Sequence, residues 1–154
     1  MNTRKKTSGS RHTIFLFVVL LLSQLTLADE YAVVVNTVNP YDTVDISKAK
    51  KDVRLYYLKN QNQWPHKEKV KAYGLPSSSA GQLAFNDGVL NMSDSELTQH
   101  WLNKKQTTGE TPPKPLKSDR AVLTLVSKRP GAFGIVSLGS TQSLPAKVKV
   151  LFTF

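Results

Sequence analysis

The chain has 154 residues, no cysteine, and 21 basic against 11 acidic side chains, a formal charge of +10. That length supports one domain around one core, and the lack of cysteine excludes disulfides. The lysines are scattered instead of lining one helical face or alternating with aromatics, so nucleic acid is not an expected ligand.

The first twelve residues carry Arg4, Lys5, Lys6 and Arg11 with no acidic residue, and lead into the unbroken apolar run 14–22. A basic segment followed by a short apolar one is the pattern of a signal peptide. Thr26 and Ala28 are the small residues that place a cut after Ala28. A membrane anchor would need roughly 20 apolar residues, and Ser23 and Gln24 end this run early. The usual bacterial lipid anchor needs a cysteine at the cut, which the chain lacks. The expectation is a signal peptide over 1–28 and an exported domain over 29–154, not inserted in the membrane after cleavage. Removing four basic residues leaves 17 against 11 acidic ones, a charge of +6.

Along the exported part, Ala32 to Val35 is a β-branched run that suits a strand buried on both faces, in a sheet covered by helices. Residues 45–51 suit one or two helical turns, and the pattern over 53–58 is compatible with helix or strand. Residues 60–67, with Trp64-Pro65, read as a loop, and Lys69 to Tyr73 alternates as a strand does. A serine cap at Ser77 to Ser79 then opens a helix whose apolar positions are Leu83, Ala84, Phe85, Val89 and Leu90, weakened by Gly81 and Gly88.

The next helix has the clearest signals. Ser93 and Glu96 form a capping box, Met92 and Leu97 stand at the staple positions, and Leu97, Trp101 and Leu102 make its inward face. It is expected from Asp94 to about Lys105, where Lys104 and Lys105 suit the end of the dipole. Residues 107–116, with Pro112, Pro113 and Pro115, read as a stiff loop. Ser118 caps a helix over 119–128 with Val122, Leu125 and Val126 inward. A strand over 132–138, a turn over 139–145 and a closing strand with Val148, Val150, Phe152 and Phe154 on one face complete the chain. Alternating strands and helices predict an α/β domain.

Catalytic patterns are missing. His66 and His100, the histidines beyond residue 28, have no carboxylate or second histidine at metal-ligand spacing, and a structural role is expected for His100 beside Trp101. Ser77 to Ser79 have neither a glycine-flanked elbow nor a lysine three residues on. No enzyme activity, metal or cofactor is expected. The triple serine suggests a candidate anion site at Ser77, Ser78 and Ser79, where hydroxyls and helix-start amides can donate to a small oxyanion. The same residues also suit ordinary helix capping.

Several segments in order resemble the phosphate-binding proteins of bacterial ABC importers. They are Val34-Val35-Asn36 with Asn39-Pro40, the turn at Leu55 to Lys59 with Trp64-Pro65, Leu75-Pro76-Ser77-Ser78-Ser79 before Phe85, the helix through Trp101, Ser118-Asp119, and Arg129 to Ile135. The likeness covers most of 32–138. It implies a single lobe of the type II periplasmic-binding-protein fold, a mixed sheet flanked by helices, in the periplasm. In the full-length family two such lobes close over phosphate, and this chain is similar to the second.

The family's phosphate loop in this lobe reads Arg, any residue, Asp-Gly-Ser-Gly-Thr. Counting back from Phe85, Leu75 stands at the arginine, Ser77 at the aspartate, Ser78 and Ala80 at the glycines and Gly81 at the threonine; only Ser79 matches. The resemblance thus implies a binding module with weak affinity for phosphate or another small oxyanion. The alternative is an envelope scaffold that docks a protein partner, or a second copy as a homodimer, through the former clamp face.

Overall fold

A computed structural model describes residues 30–154, and the expected signal peptide over 1–28 lies outside the described residues. The β-branched run folds as strand β1, Tyr31–Asn36. Ala32, Val33, Val34 and Val35 are fully buried, because apolar clusters cover both faces of the sheet. Val33 and Val35 pack into one cluster, Ala32 and Val34 into the other. The other strands are β2 (Lys71–Gly74), β3 (Lys114–Pro115), β4 (Ala132–Ser137) and β5 (Val148–Thr153). Their order is β3-β2-β4-β1-β5. β2 runs parallel to β3 and β4, whereas β1 is antiparallel to β4 and β5, so the sheet is mixed.

Helices cover the two faces unequally. Helix α4 (Asp119–Lys128), capped by Ser118, sets Val122 and Val126 against Ala32, Val34 and Val136. Its first carboxylate, Asp119, accepts from the Ser137 amide and from the Ser137 and Ser140 hydroxyls. Burial alone would raise its pKa, but these bonds outweigh it and hold the carboxyl below its ordinary range. The opposite face carries α1 (Ile46–Tyr57), α2 (Ala80–Phe85) and α3 (Asp94–Thr108). The segment left open between helix and strand is helical, because Ala49, Val53, Tyr56 and Tyr57 recur at helical spacing and all are buried.

Five of the expected elements change. The helix expected through Leu90 stops at Phe85 and continues as a π-helical turn, Asn86–Leu90. Leu83 lies almost opposite the buried Phe85 and is 43% exposed, Gln82 and Asn86 share the inward side, and the wider turn carries Leu90 into the core. Helix α3 has its capping box but runs on to Thr108, where Gly109 at φ 71° ends it. Of its expected inward residues Trp101 is buried and Leu102 is exposed. The proline segment contributes β3, which proline allows because the strand lies at the sheet edge. In β5 a register shift pairs Val33 with Phe152 but Val34 with Val150. One extra residue switches faces, so Val148 joins one cluster, Phe152 the other, and Val150 is exposed. The expected turn at 139–145 is largely a 3-10 segment, Leu138–Ser143.

Trp64 fixes the long loop between α1 and β2. It is buried among Tyr41, Tyr56 and Phe133, and its indole N–H donates to the Gly131 carbonyl at 3.0 Å. The same carbonyl accepts the Lys71 amide at 2.9 Å. A side chain at Gly131 would collide with the Lys69 carbonyl, a backbone group that cannot turn aside. Gly131→Ala is therefore expected to destabilise the protein by roughly 1–3 kcal/mol, read as a lower urea midpoint with an unchanged m-value.

Candidate functional site

A cleft of about 1040 Å³ opens between the turn after β2, helix α2, the first half of α3 and the proline segment. Its floor is polar and fixed. The Gln82 side-chain carbonyl accepts the Leu75 amide at 2.9 Å. Its NH2 donates to the Asn86 carbonyl oxygen at 2.9 Å, and the Asn86 NH2 donates to Asp94 at 3.2 Å. Gln82 and Asn86 are 3% and 4% exposed although both line the cleft. Such burial is tolerable because each polar atom has a partner. Each amide nitrogen carries two hydrogens: Gln82 spends one on Asn86 and the other on the Tyr57 phenol oxygen, while Asn86 spends one on Asp94.

The walls are largely apolar: Leu75, Leu83, Leu97, Trp101 and prolines on both sides. Two charges of opposite sign, Asp94 and Lys117, face the same space. Tyr57 enters from α1, and Gly74 makes room for it. A Cβ there would lie 2.7 Å from the phenol oxygen and 3.2 Å from the Gln82 oxygen. Burial pushes the Tyr57 phenol up to about 12, while a hydrogen bond with Gln82 pulls the other way.

The three candidate serines divide. Ser77 and Ser78 line the cleft and are exposed, and among the described residues no hydrogen bond engages either hydroxyl. Ser79 does not line it. Its hydroxyl donates to the Pro76 carbonyl at 2.7 Å and accepts the Gln82 amide at 3.3 Å, so it is the cap of α2. Sequence reasoning passed over Gln82, Asn86, Asp94 and Lys117. The available signal was the Gln82 and Asn86 pair, four apart inside an otherwise apolar pattern.

The histidines lie elsewhere. His66 stacks on Trp64, and His100 Nε2 donates to the Leu58 carbonyl at 3.0 Å, helped by Lys104 on the Lys59 carbonyl. Together they tie α3 to the end of α1. Among the described residues no cluster of His, Asp or Glu could hold a metal ion, and no helix is long and apolar enough to cross a membrane.

The fold is similar to several solved structures. An ABC-type phosphate transport receptor from Vibrio cholerae aligns with TM-score 0.58 and 20% identity, covering 80% of this chain and 45% of that one. PstS from Borrelia burgdorferi aligns with TM-score 0.55 and 14% identity, over 74% and 42% of the two chains. A Clostridium perfringens structure with bound phosphate gives TM-score 0.57 and 14% identity, over 80% and 44%. The chain therefore has the fold of a single lobe of the periplasmic-binding-protein type, and it spans less than half the length of these proteins. No protein-family model and no curated protein matches it in sequence.

The cleft leaves a pH signature. Because the folded Tyr57 pKa lies above its ordinary value of 10.0, the phenol's contribution to stability is fully present below pH 10 and is lost as pH rises towards 12. Denaturation midpoints measured from pH 9 upwards should fall across that window, and Tyr57→Phe should make the fall shallower, the rest coming from Tyr41 and Tyr56, whose phenol pKa values burial also raises.

Proposed function

We propose that this chain is an exported, non-catalytic binding module of the periplasm, and that phosphate or another small oxyanion binds weakly at Ser77 and Ser78 in the cleft wall. The observation that carries this reading is the pair of hydroxyls, unengaged by the described residues, set in the same cleft as the Lys117 ammonium. Hydroxyls donate to an anion without a charge of their own, and the ammonium supplies the counter-charge. The likeness to proteins named for phosphate transport, one of them solved with phosphate, supports the same ligand class.

Weak affinity follows from what lines the site. Leu75 and Ser77 stand where the resembling family has a charged fork and a carboxylate acceptor, so the bidentate contacts that make an oxyanion site tight are missing. Asp94 in the same cleft adds an opposing charge. Isothermal titration with phosphate and with sulfate should give a Kd on the order of 1 mM, weakening with salt. Ser77→Ala with Ser78→Ala should weaken it about tenfold. The control Ser79→Ala should instead cost about 1 kcal/mol of stability through the lost cap and leave affinity unchanged. Absence of heat with either ion at tenfold higher concentration than that Kd, or an unchanged affinity in the double variant, would sink the reading.

The apolar walls and the exposed Leu83 favour a second reading, in which this face docks a protein partner or a second copy of the chain. Under it, light scattering should report a dimer whose association is broken by Leu83→Asp. A monomer at every concentration that also captures no envelope protein speaks against it.

A further inference from the structure

We infer that the cleft takes an organic phosphate monoester with an apolar or aromatic body in preference to the bare inorganic ion. The inference rests on the oxyanion reading above and names the ligand class of that site. Size is the first argument. Inorganic phosphate has five heavy atoms, and at roughly 30 Å³ for each water-sized centre it fills about 150 Å³. Most of the cleft of about 1040 Å³ would then hold only water. The whole volume matches sites that enclose organic ligands, roughly 300–1,000 Å³.

The chemistry of the lining is the second argument. Leu83, Leu97 and Trp101 offer carbon surface to the cleft, and an inorganic ion would leave that surface facing water with nothing gained. Polar groups are few and held in place. Gln82 and Asn86 are fixed by a continuous series of hydrogen bonds from the Leu75 amide to Asp94. A small number of fixed polar groups within apolar walls is the make-up of a site for an organic molecule with one polar end. A monoester supplies both parts. Its dianionic head suits the Lys117 and serine side, and its body covers the carbon wall.

Titration of the purified protein with phenyl phosphate, inorganic phosphate and phenol, at one pH and ionic strength, tests this. Phenyl phosphate should bind about tenfold more tightly than inorganic phosphate, the gain from partly burying a Phe-sized ring. Leu83→Asn, a change at an exposed position that leaves the core intact, should reduce the ratio between the two. Equal affinity for phenyl phosphate and inorganic phosphate overturns the monoester inference and leaves the oxyanion reading standing. Failure of every probe to bind overturns both. Phenol binding as tightly as phenyl phosphate also overturns the monoester inference, because the anionic head would then contribute nothing to it.

Discussion

The Gly131 carbonyl accepts two donors from distant parts of the chain, the Lys71 amide and the Trp64 indole. Because residue 131 has no side chain, the backbone at Lys69 can approach closely enough for both bonds to form. That approach seats the start of β2 beside the start of β4, in the parallel register of Lys71 with Ala132. Trp64, held by its N–H, then orders Tyr41 and Tyr56 around its ring, and through Tyr56 the helix α1. The far end of β2 is where the turn of Leu75 to Ser79 begins. The position of the cleft is therefore set, through one short strand, by a backbone contact at its other end.

The cleft combines a buried polar series with apolar walls, and helical spacing in α2 separates the two. At about 100° per residue Leu83 lies almost opposite Phe85, on the side of α2 that faces the cleft, whereas Gln82, Phe85, Asn86 and Val89 share the inward side. The wider turn brings Leu90, five residues after Phe85, into the core beside Phe85 and Val89. Two buried side-chain amides would each cost free energy if left unpaired. Here the amides bond to each other, to a main-chain N–H and to a carboxylate, so the polar floor is compatible with a stable core.

The sequence was most readable where one local rule decided the outcome. The uninterrupted valines of β1 could only suit a strand covered on both sides, and the Ser93 and Glu96 pair marks the start of α3 through chemistry confined to four residues. Ser118 is legible for the same reason. Leu83, Leu102 and Val150 were misplaced because an apolar residue at helical or strand spacing satisfies the pattern whether or not a neighbouring element covers it. β3 escaped notice because two residues with a proline carry no strand signal, and their pairing depends on Gly74 arriving alongside. In the candidate site, the serines stood out by composition, but only the three-dimensional arrangement separates Ser79 as a cap from Ser77 and Ser78 in the cleft wall. Asp94 and Lys117 come to one cleft from separate segments, and nothing in their spacing announces it.

The extra residue in β5 has a consequence for how the molecule behaves among its own copies. β5 is the outer strand on its side of the sheet, the kind of edge along which another chain can add by main-chain pairing. A neighbouring strand needs an even ladder of amides and carbonyls to follow. The bulge interrupts that ladder midway, and Lys147 and Lys149 bring like charges to the margin where two such edges would meet. The irregularity that moves Phe152 to the opposite face of the sheet thus also guards against fibre-like growth, a useful property in a chain that no disulfide cross-links.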